Sequence, residues 1–360
     1  MNANAEFEKN NWSTIIIGAG QAGLSTGYYL KKFDEDFIII DASKKIGDSW
    51  RKRWDSLRLF TPSQYDGLPG LKFSQKRNIF PVKNEMADYL ENYSKRFSLP
   101  VRLGIHVIRV SYTPTGFEID STSGKLMSKR LVIATGTNPV PRIPDFAKDI
   151  NIGIKQIHSS QYLNSGQFPP GDTLVVGAGT SGVEIAIELS ESHNTMIAGK
   201  PTFHIPEPVL KYGGGLYWWF INNILTVRTP IGKKAKTKVL KGGGPLIRIS
   251  ADALDIAGVE RLPRVTGVSN GLPRLEDGRV LEVKNIVWST GFKPDFSWID
   301  LNVTNGTGWP LTDRGLSLKA EGLYFVGMPF QYGLSSGLIG GVGRDALYVA
   351  KHIKESFQNN

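Results

Sequence analysis

The 360-residue sequence contains no cysteine. That absence excludes disulfides, thiolate metal sites and redox-active dithiol pairs, and no other metal site is expected. No apolar run reaches 18 residues, so no membrane-spanning helix is expected. The first eleven residues are polar and carry acids, unlike a secretory signal, so a cytoplasmic location is the expectation. No nucleic-acid module is present, so no nucleic-acid partner is expected despite a net charge of +10. Anionic cofactors account for part of that charge. The basic residues are spread out, except for the run from Gly232 to Lys241.

Glycine, by contrast, is abundant, at 40 residues. Residues 14–23 read Thr-Ile-Ile-Ile-Gly-Ala-Gly-Gln-Ala-Gly, and residues 173–182 read Thr-Leu-Val-Val-Gly-Ala-Gly-Thr-Ser-Gly. Each is a buried strand, a Gly-x-Gly-x-x-Gly turn and a helix start. Gly18 and Gly177 permit the tight turn. Gly20 and Gly179 let a pyrophosphate approach the backbone. Gly23 and Gly182 let the helix pack on the strand. Free N–H groups at each helix start then hold phosphates. A single motif of this kind is weak evidence, but two in one chain point to two bound nucleotides.

The residue ending the second strand of each unit meets the adenosine ribose. Counting 23 residues from Gly18 gives Asp41, and the same count from Gly177 gives Lys200. An acid accepts from ribose hydroxyls and repels a 2′-phosphate, whereas a cation accommodates one. The first site thus suits FAD or NAD and the second NADP, with a solvated surface lysine as the alternative reading of Lys200.

The fold class is α/β, with two Rossmann-like dinucleotide-binding domains, the second inserted into the first. Residues 1–140 and 288–360 form the FAD domain, 141–170 a linker, and 171–287 the NAD(P)H domain, with an insertion at about 204–248. Val101–Val110 and Gly116–Ile119 read as strands of a small sheet. The strand ending at Gly291 resembles the one ending at Gly136 and is read as the return into the first domain. Ser335 or Ser336 is expected to cap a final helix running to about Phe357.

Together these residues resemble the bacterial flavin-containing monooxygenases with two dinucleotide-binding domains. The motifs carrying the resemblance are Gly18–Gly23, Gly47–Pro62, Ala134–Gly136, Gly177–Gly182, Ser289–Asp295 and Gly327–Ala346. The family's linker fingerprint is only partly matched: His158 and Tyr162 fit, but Ile152 and Ile154 stand at its Phe and Gly positions. A satisfied inter-domain histidine is the plain reading of His158. The resemblance implies FAD at Gly18, Gly20, Gln21, Gly23, Asp41, Trp50, Arg58, Thr61, Val107, Ala134, Thr135, Gly136, Gln331, Gly337 and Leu338. It implies NADPH, with NADH possible, at Gly177, Gly179, Thr180, Ser181, Gly182, Lys200, Thr202, Thr290 and Gly291. Arg58, Thr61 and Gln331 are candidates for polar groups near the flavin ring.

The implied cycle uses NADPH to reduce FAD, forms a C4a-peroxyflavin with O2 and oxygenates a small amine, sulfide or ketone. A reductase or oxidase without oxygen insertion, or a flavoprotein sensor, are the rivals. Where related oxygenases carry an asparagine or an acid beside the flavin, this sequence has Phe60. The insertion, with Leu216–Val227 and its lysines, reads as a lid over the substrate; peripheral membrane contact is the alternative. A monomer or homodimer is expected.

Overall fold

The computed structural model describes residues 9–206, 208–209, 212–240 and 244–358. Lys241 and the glycines at 242 and 243, the end of the lysine run, lie outside them.

The first sheet has nine strands among the described residues. Its parallel centre runs Leu323–Phe325, Gly124–Ile133, Asn11–Ile17, Phe37–Asp41 and Val101–Leu103. Ile15, Ile16, Ile39, Ile40, Val132 and Ile133 are buried, because both faces are covered. Helices Gln21–Lys32 and Val342–Gln358 pack on one face. The hairpin Val107–Thr113 and Gly116–Ser121 extends from Gly124–Ile133. The expected small sheet does not form: Val101–Leu103 joins the parallel centre, and the hairpin branches from the same sheet through Gly124–Ile133.

The second sheet is parallel, ordered Glu260–Leu262, Thr195–Ala198, Thr173–Val176, Asn285–Trp288 and Lys155–His158. It corrects two expectations. Asn285–Trp288 does not return to the first sheet; it pairs with Thr173–Val176. It resembles Leu131–Ile133 because each lies beside its own glycine turn, not because the two share a sheet. The segment expected as a plain linker also supplies the edge strand Lys155–His158. The two chain crossings lie side by side, where Val140–Pro141 pairs with Phe292–Lys293.

A third correction concerns the tail. Residues Leu334–Gly337 and Ile339–Gly341 form two 3-10 turns, and the α-helix starts only at Val342. Ser336 Oγ accepts from the N–H groups of Tyr332 and Gly333, so it caps the first 3-10 turn and not the helix.

Candidate functional site

The two glycine turns are nearly congruent. Gly18 and Gly177 have φ of +110° and +108°. A Cβ on Gly18 would lie 2.4 Å from the Ala134 carbonyl oxygen, and one on Gly177 would lie 2.3 Å from that of Ser289. A Cβ on Gly23 or Gly182 would come within 1.8 Å of the Gly18 or Gly177 carbonyl oxygen. These four positions are closed by protein. Gly20 and Gly179 differ: a Cβ there would meet nothing within 4 Å. The helices that follow have no side-chain cap and no acid in the first turn. Each cradle therefore offers open space over uncapped N–H groups, which fits a pyrophosphate.

The ribose positions differ. Asp41 Oδ2 accepts from Ala19 N at 2.7 Å and Oδ1 from Ser43 N at 2.7 Å, which aims the carboxylate at the turn. In the second unit the register gives a correction. Ile40 and Ala198 are equivalent, since each accepts from its own turn glycine at 2.8 Å. The counterpart of Asp41 is then Gly199, with φ +131°, and exposed Lys200 is one residue further on. The helix Thr180–Ser190 has 11 residues against 12 in Gln21–Lys32, which shortens the offset by one.

A cleft of about 530 Å³ joins the two units. Of the positions expected at FAD, Gly18, Gly20, Gln21, Asp41, Trp50, Arg58, Thr61, Ala134, Thr135, Gly136, Gly337 and Leu338 line it. Thr180 and Ser181 enter it from the second unit. Gly23 lies beneath its helix. Val107 packs with the opposite core, against the face away from the helices. Gln331 is also turned away: its amide donates to the Arg314 carbonyl oxygen at 3.2 Å, and its side-chain oxygen accepts from Met328 N. Gly177, Gly179, Gly182, Lys200, Thr202, Thr290 and Gly291 do not line this cleft. Thr290 Oγ1 donates to the Arg142 carbonyl oxygen at the crossing, and Thr202 Oγ1 is buried without a partner.

Arg53, Trp54, Asn138, Glu184 and Phe292 line the cleft without having been singled out. Glu184 had a signal, lying one helical turn after Thr180 on the same face. Its carboxylate is buried and pairs with Arg248 at 2.9 Å. Burial raises its pKa, and Arg248 partly opposes the shift. Asp66 is buried behind Thr61, whose hydroxyl donates to its Oδ1, while Oδ2 has no partner. Burial pushes the Asp66 carboxyl up to about 7, with the Thr61 bond opposing.

The segment Gly47–Pro62 fastens the two units together. Asp55 accepts from Lys83 Nζ and from Asn164, both at 2.8 Å. Ser56 donates to Glu188, which also accepts from Tyr162 OH at 2.8 Å. His158 is a satisfied structural histidine. Its Nε2 donates to the Gly291 carbonyl oxygen at 3.0 Å, and Nδ1 accepts from Ser160 N at 3.1 Å, which fixes the neutral tautomer. Burial lowers its pKa. The insertion packs against the first unit. Trp218 stacks on Tyr65, with centroids 4.9 Å apart and planes at 18°, and Val227 N donates to the Tyr332 carbonyl oxygen.

The family model described as pyridine nucleotide-disulphide oxidoreductase matches residues 15–212. The protein named uncharacterized oxidoreductase CzcO of Bacillus subtilis (strain 168) is 39% identical over 346 residues, 95% of this chain and 99% of that one. A probable indole-3-pyruvate monooxygenase, YUCCA8, of Arabidopsis thaliana is 26% identical over 388 residues, 96% of this chain and 89% of that one. The solved flavin-containing monooxygenase of Stenotrophomonas maltophilia superposes with a TM-score of 0.79 at 24% identity, over 96% of this chain and 99% of that one, a likeness of fold.

Proposed function

The chain belongs to the pyridine nucleotide-disulphide oxidoreductase family, as a CzcO-like flavin-dependent oxidoreductase, and within that family we propose that it is an NADPH-dependent monooxygenase. FAD and NAD(P)H are the family's cofactors; the preference for NADPH and the use of O2 as co-substrate are part of the proposal. The substrate class is a small nucleophile or carbonyl compound: an amine, a sulfide or a ketone. The observation that carries the reading is the shared cleft. Gly18 and Gly20 line it from one unit and Thr180 and Ser181 from the other, so two nucleotides held in the two cradles would turn their inner ends toward one space.

Gly20 and the uncapped start of helix Gln21–Lys32 would hold the FAD pyrophosphate, with Asp41 accepting from ribose hydroxyls. Gly179 and helix Thr180–Ser190 would do the same for NADPH. Gly199 places no carboxylate at the second ribose position, and Lys200 next to it supplies a cation for a 2′-phosphate. Bound FAD supplies hydride acceptance from the reduced nicotinamide and, once reduced, activation of dioxygen. Trp54, Leu57, Phe60 and Phe292 give the cleft apolar walls. Asp66 holds a proton up to about pH 7, which keeps negative charge out of the wall behind Thr61. With no cysteine, the chain has no thiols of its own for the relay that its family's name describes.

Phe60 favours a second reading. It lines the cleft where related oxygenases carry an asparagine or an acid. Without such a group beside the flavin the chain would act as an NAD(P)H-dependent flavoprotein reductase or oxidase. Isotopic labelling separates the two. Amines, sulfides and ketones are screened for NADPH consumption under labelled dioxygen. The monooxygenase reading expects one labelled oxygen atom in the product per NADPH consumed. Peroxide formed in step with NADPH, with no labelled product, would establish the oxidase reading.

A further inference from the structure

The chain's excess positive charge is concentrated in the insertion. Between Glu207 and Asp252 the sequence holds eight Lys and Arg and no acid, against a net charge of +10 for the whole chain. One of the eight, Arg248, turns inward to Glu184. Within helix Pro230–Leu240, Lys233, Lys234 and Lys238 are exposed.

The same segment exposes apolar side chains. Six of the eighteen exposed large hydrophobic residues among the described residues fall between Val209 and Ile231. In helix Gly214–Asn223 they have helical spacing. Gly214 and Ile221 are buried, and Tyr217 and Trp218 lie on the inner side with them. Leu216, Trp219 and Phe220 share the opposite face, with Tyr212 one turn before them. Tyr212, Leu216 and Trp219 are 81%, 73% and 53% exposed. A surface helix of a globular protein ordinarily turns its polar side to water; this one turns aromatic and aliphatic groups outward. Exposed Ile231 begins the lysine helix that follows.

We propose that the outer face of the insertion docks on the surface of an anionic lipid bilayer. Leu216, Trp219 and Phe220 would enter the headgroup and upper acyl region, and the lysines of Pro230–Leu240 would lie over anionic headgroups. An amphipathic interfacial segment requires an apolar face beside a basic one, and both are present. Among the described residues no helix is long and apolar enough to cross a bilayer. Other occupants satisfy fewer of the observations. A second copy would bring the same basic segment against this one. A nucleic acid would pair with the lysines and stack on Trp219, but leave Leu216 and Ile231 without an apolar partner. The inner face of the same helix contacts Tyr65 through Trp218, so docking would bring the cleft close to the lipid surface.

The test uses the purified full-length, flavin-loaded protein and sucrose-filled vesicles of phosphatidylcholine, with or without phosphatidylglycerol. Co-sedimentation with the phosphatidylglycerol vesicles at low salt is expected, weakening toward physiological salt, with little binding to phosphatidylcholine alone. Two variants at exposed positions keep the result interpretable: Trp219→Ser with Phe220→Ser, and Lys233→Glu with Lys234→Glu and Lys238→Glu. At about fivefold per basic residue, the charge variant should lose more than about 100-fold in partitioning. Both variants should keep the wild-type circular dichroism and flavin absorbance. Trp219 should also contribute a blue shift of tryptophan emission on vesicle binding that is absent in Trp219→Phe. Equal binding to both vesicle types, no binding to phosphatidylglycerol vesicles at low salt, or undiminished binding in either variant would overturn the proposal. So would duplex DNA of matched charge displacing the protein from vesicles stoichiometrically.

Discussion

Asp66 and Lys200 each lead to a direct test. The Asp66 carboxyl is raised by burial to about 7 in the folded chain, from 3.8 in the unfolded one. The folded state therefore binds the extra proton between those values, and stability falls as pH rises through that window. The contribution is full below about pH 4 and lost above about pH 7. Asp66→Asn should remove this loss, stabilising the protein at pH 8 by up to about 4 kcal/mol while leaving it little changed near pH 4. Denaturant melts of the two proteins across this range check the difference; parallel curves would mean that Asp66 is ionised or solvated. Lys200→Asp should lower the NADPH/NADH ratio of kcat/KM by about tenfold or more, the loss of a charge-assisted contact. An unchanged ratio would move selection elsewhere, with Thr202 and its unpartnered hydroxyl the next residue to change.

Among the elements, the insertion and the glycine turns were legible to different degrees. The repeated strand–turn–helix units could be read in the sequence because their glycines have steric jobs that no other residue fills. Gly23 and Gly182 show why, each facing a carbonyl oxygen within 1.8 Å of a Cβ. The second ribose position lies one residue earlier than a fixed count from the glycine gives. A fixed count assumes equal helices, and Thr180–Ser190 is one residue shorter than Gln21–Lys32. The strand at Asn285–Trp288 was assigned to the wrong sheet because a fully buried apolar strand carries no mark of its neighbours. Asp66 has no sequence signal for a related reason: burial comes from the fold, and local pattern does not record it. The neighbouring tryptophans of Gly214–Asn223 separate two roles. Trp218 faces Tyr65, and Trp219 faces solvent. Trp218→Ala removes a stacked pair worth about 0.5–1.5 kcal/mol beyond its buried area. It should raise the KM of the organic substrate and leave that of NADPH unchanged. Trp219→Ala should change neither, and a matching KM change in both variants would argue against this division.

At the scale of the whole molecule, two cradles share one geometry; the first opens into the cleft, and Thr180 and Ser181, at the start of the helix after the second, line it from the other side. Asp55, Ser56 and Tyr162 fasten the two units. On the proposed function, FAD occupies the first cradle and the reduced pyridine nucleotide the second. Gly20 and Gly179 suit a test of that assignment, because a Cβ at either position meets no protein atom within 4 Å. The deciding measurement is flavin content followed by anaerobic reduction with NADPH, made on Gly20→Val and Gly179→Val side by side. Gly20→Val should be purified without FAD, and Gly179→Val should keep a full complement of oxidised flavin that NADPH no longer bleaches. Equal loss of flavin from both variants, or normal bleaching of Gly179→Val by NADPH, would contradict that assignment.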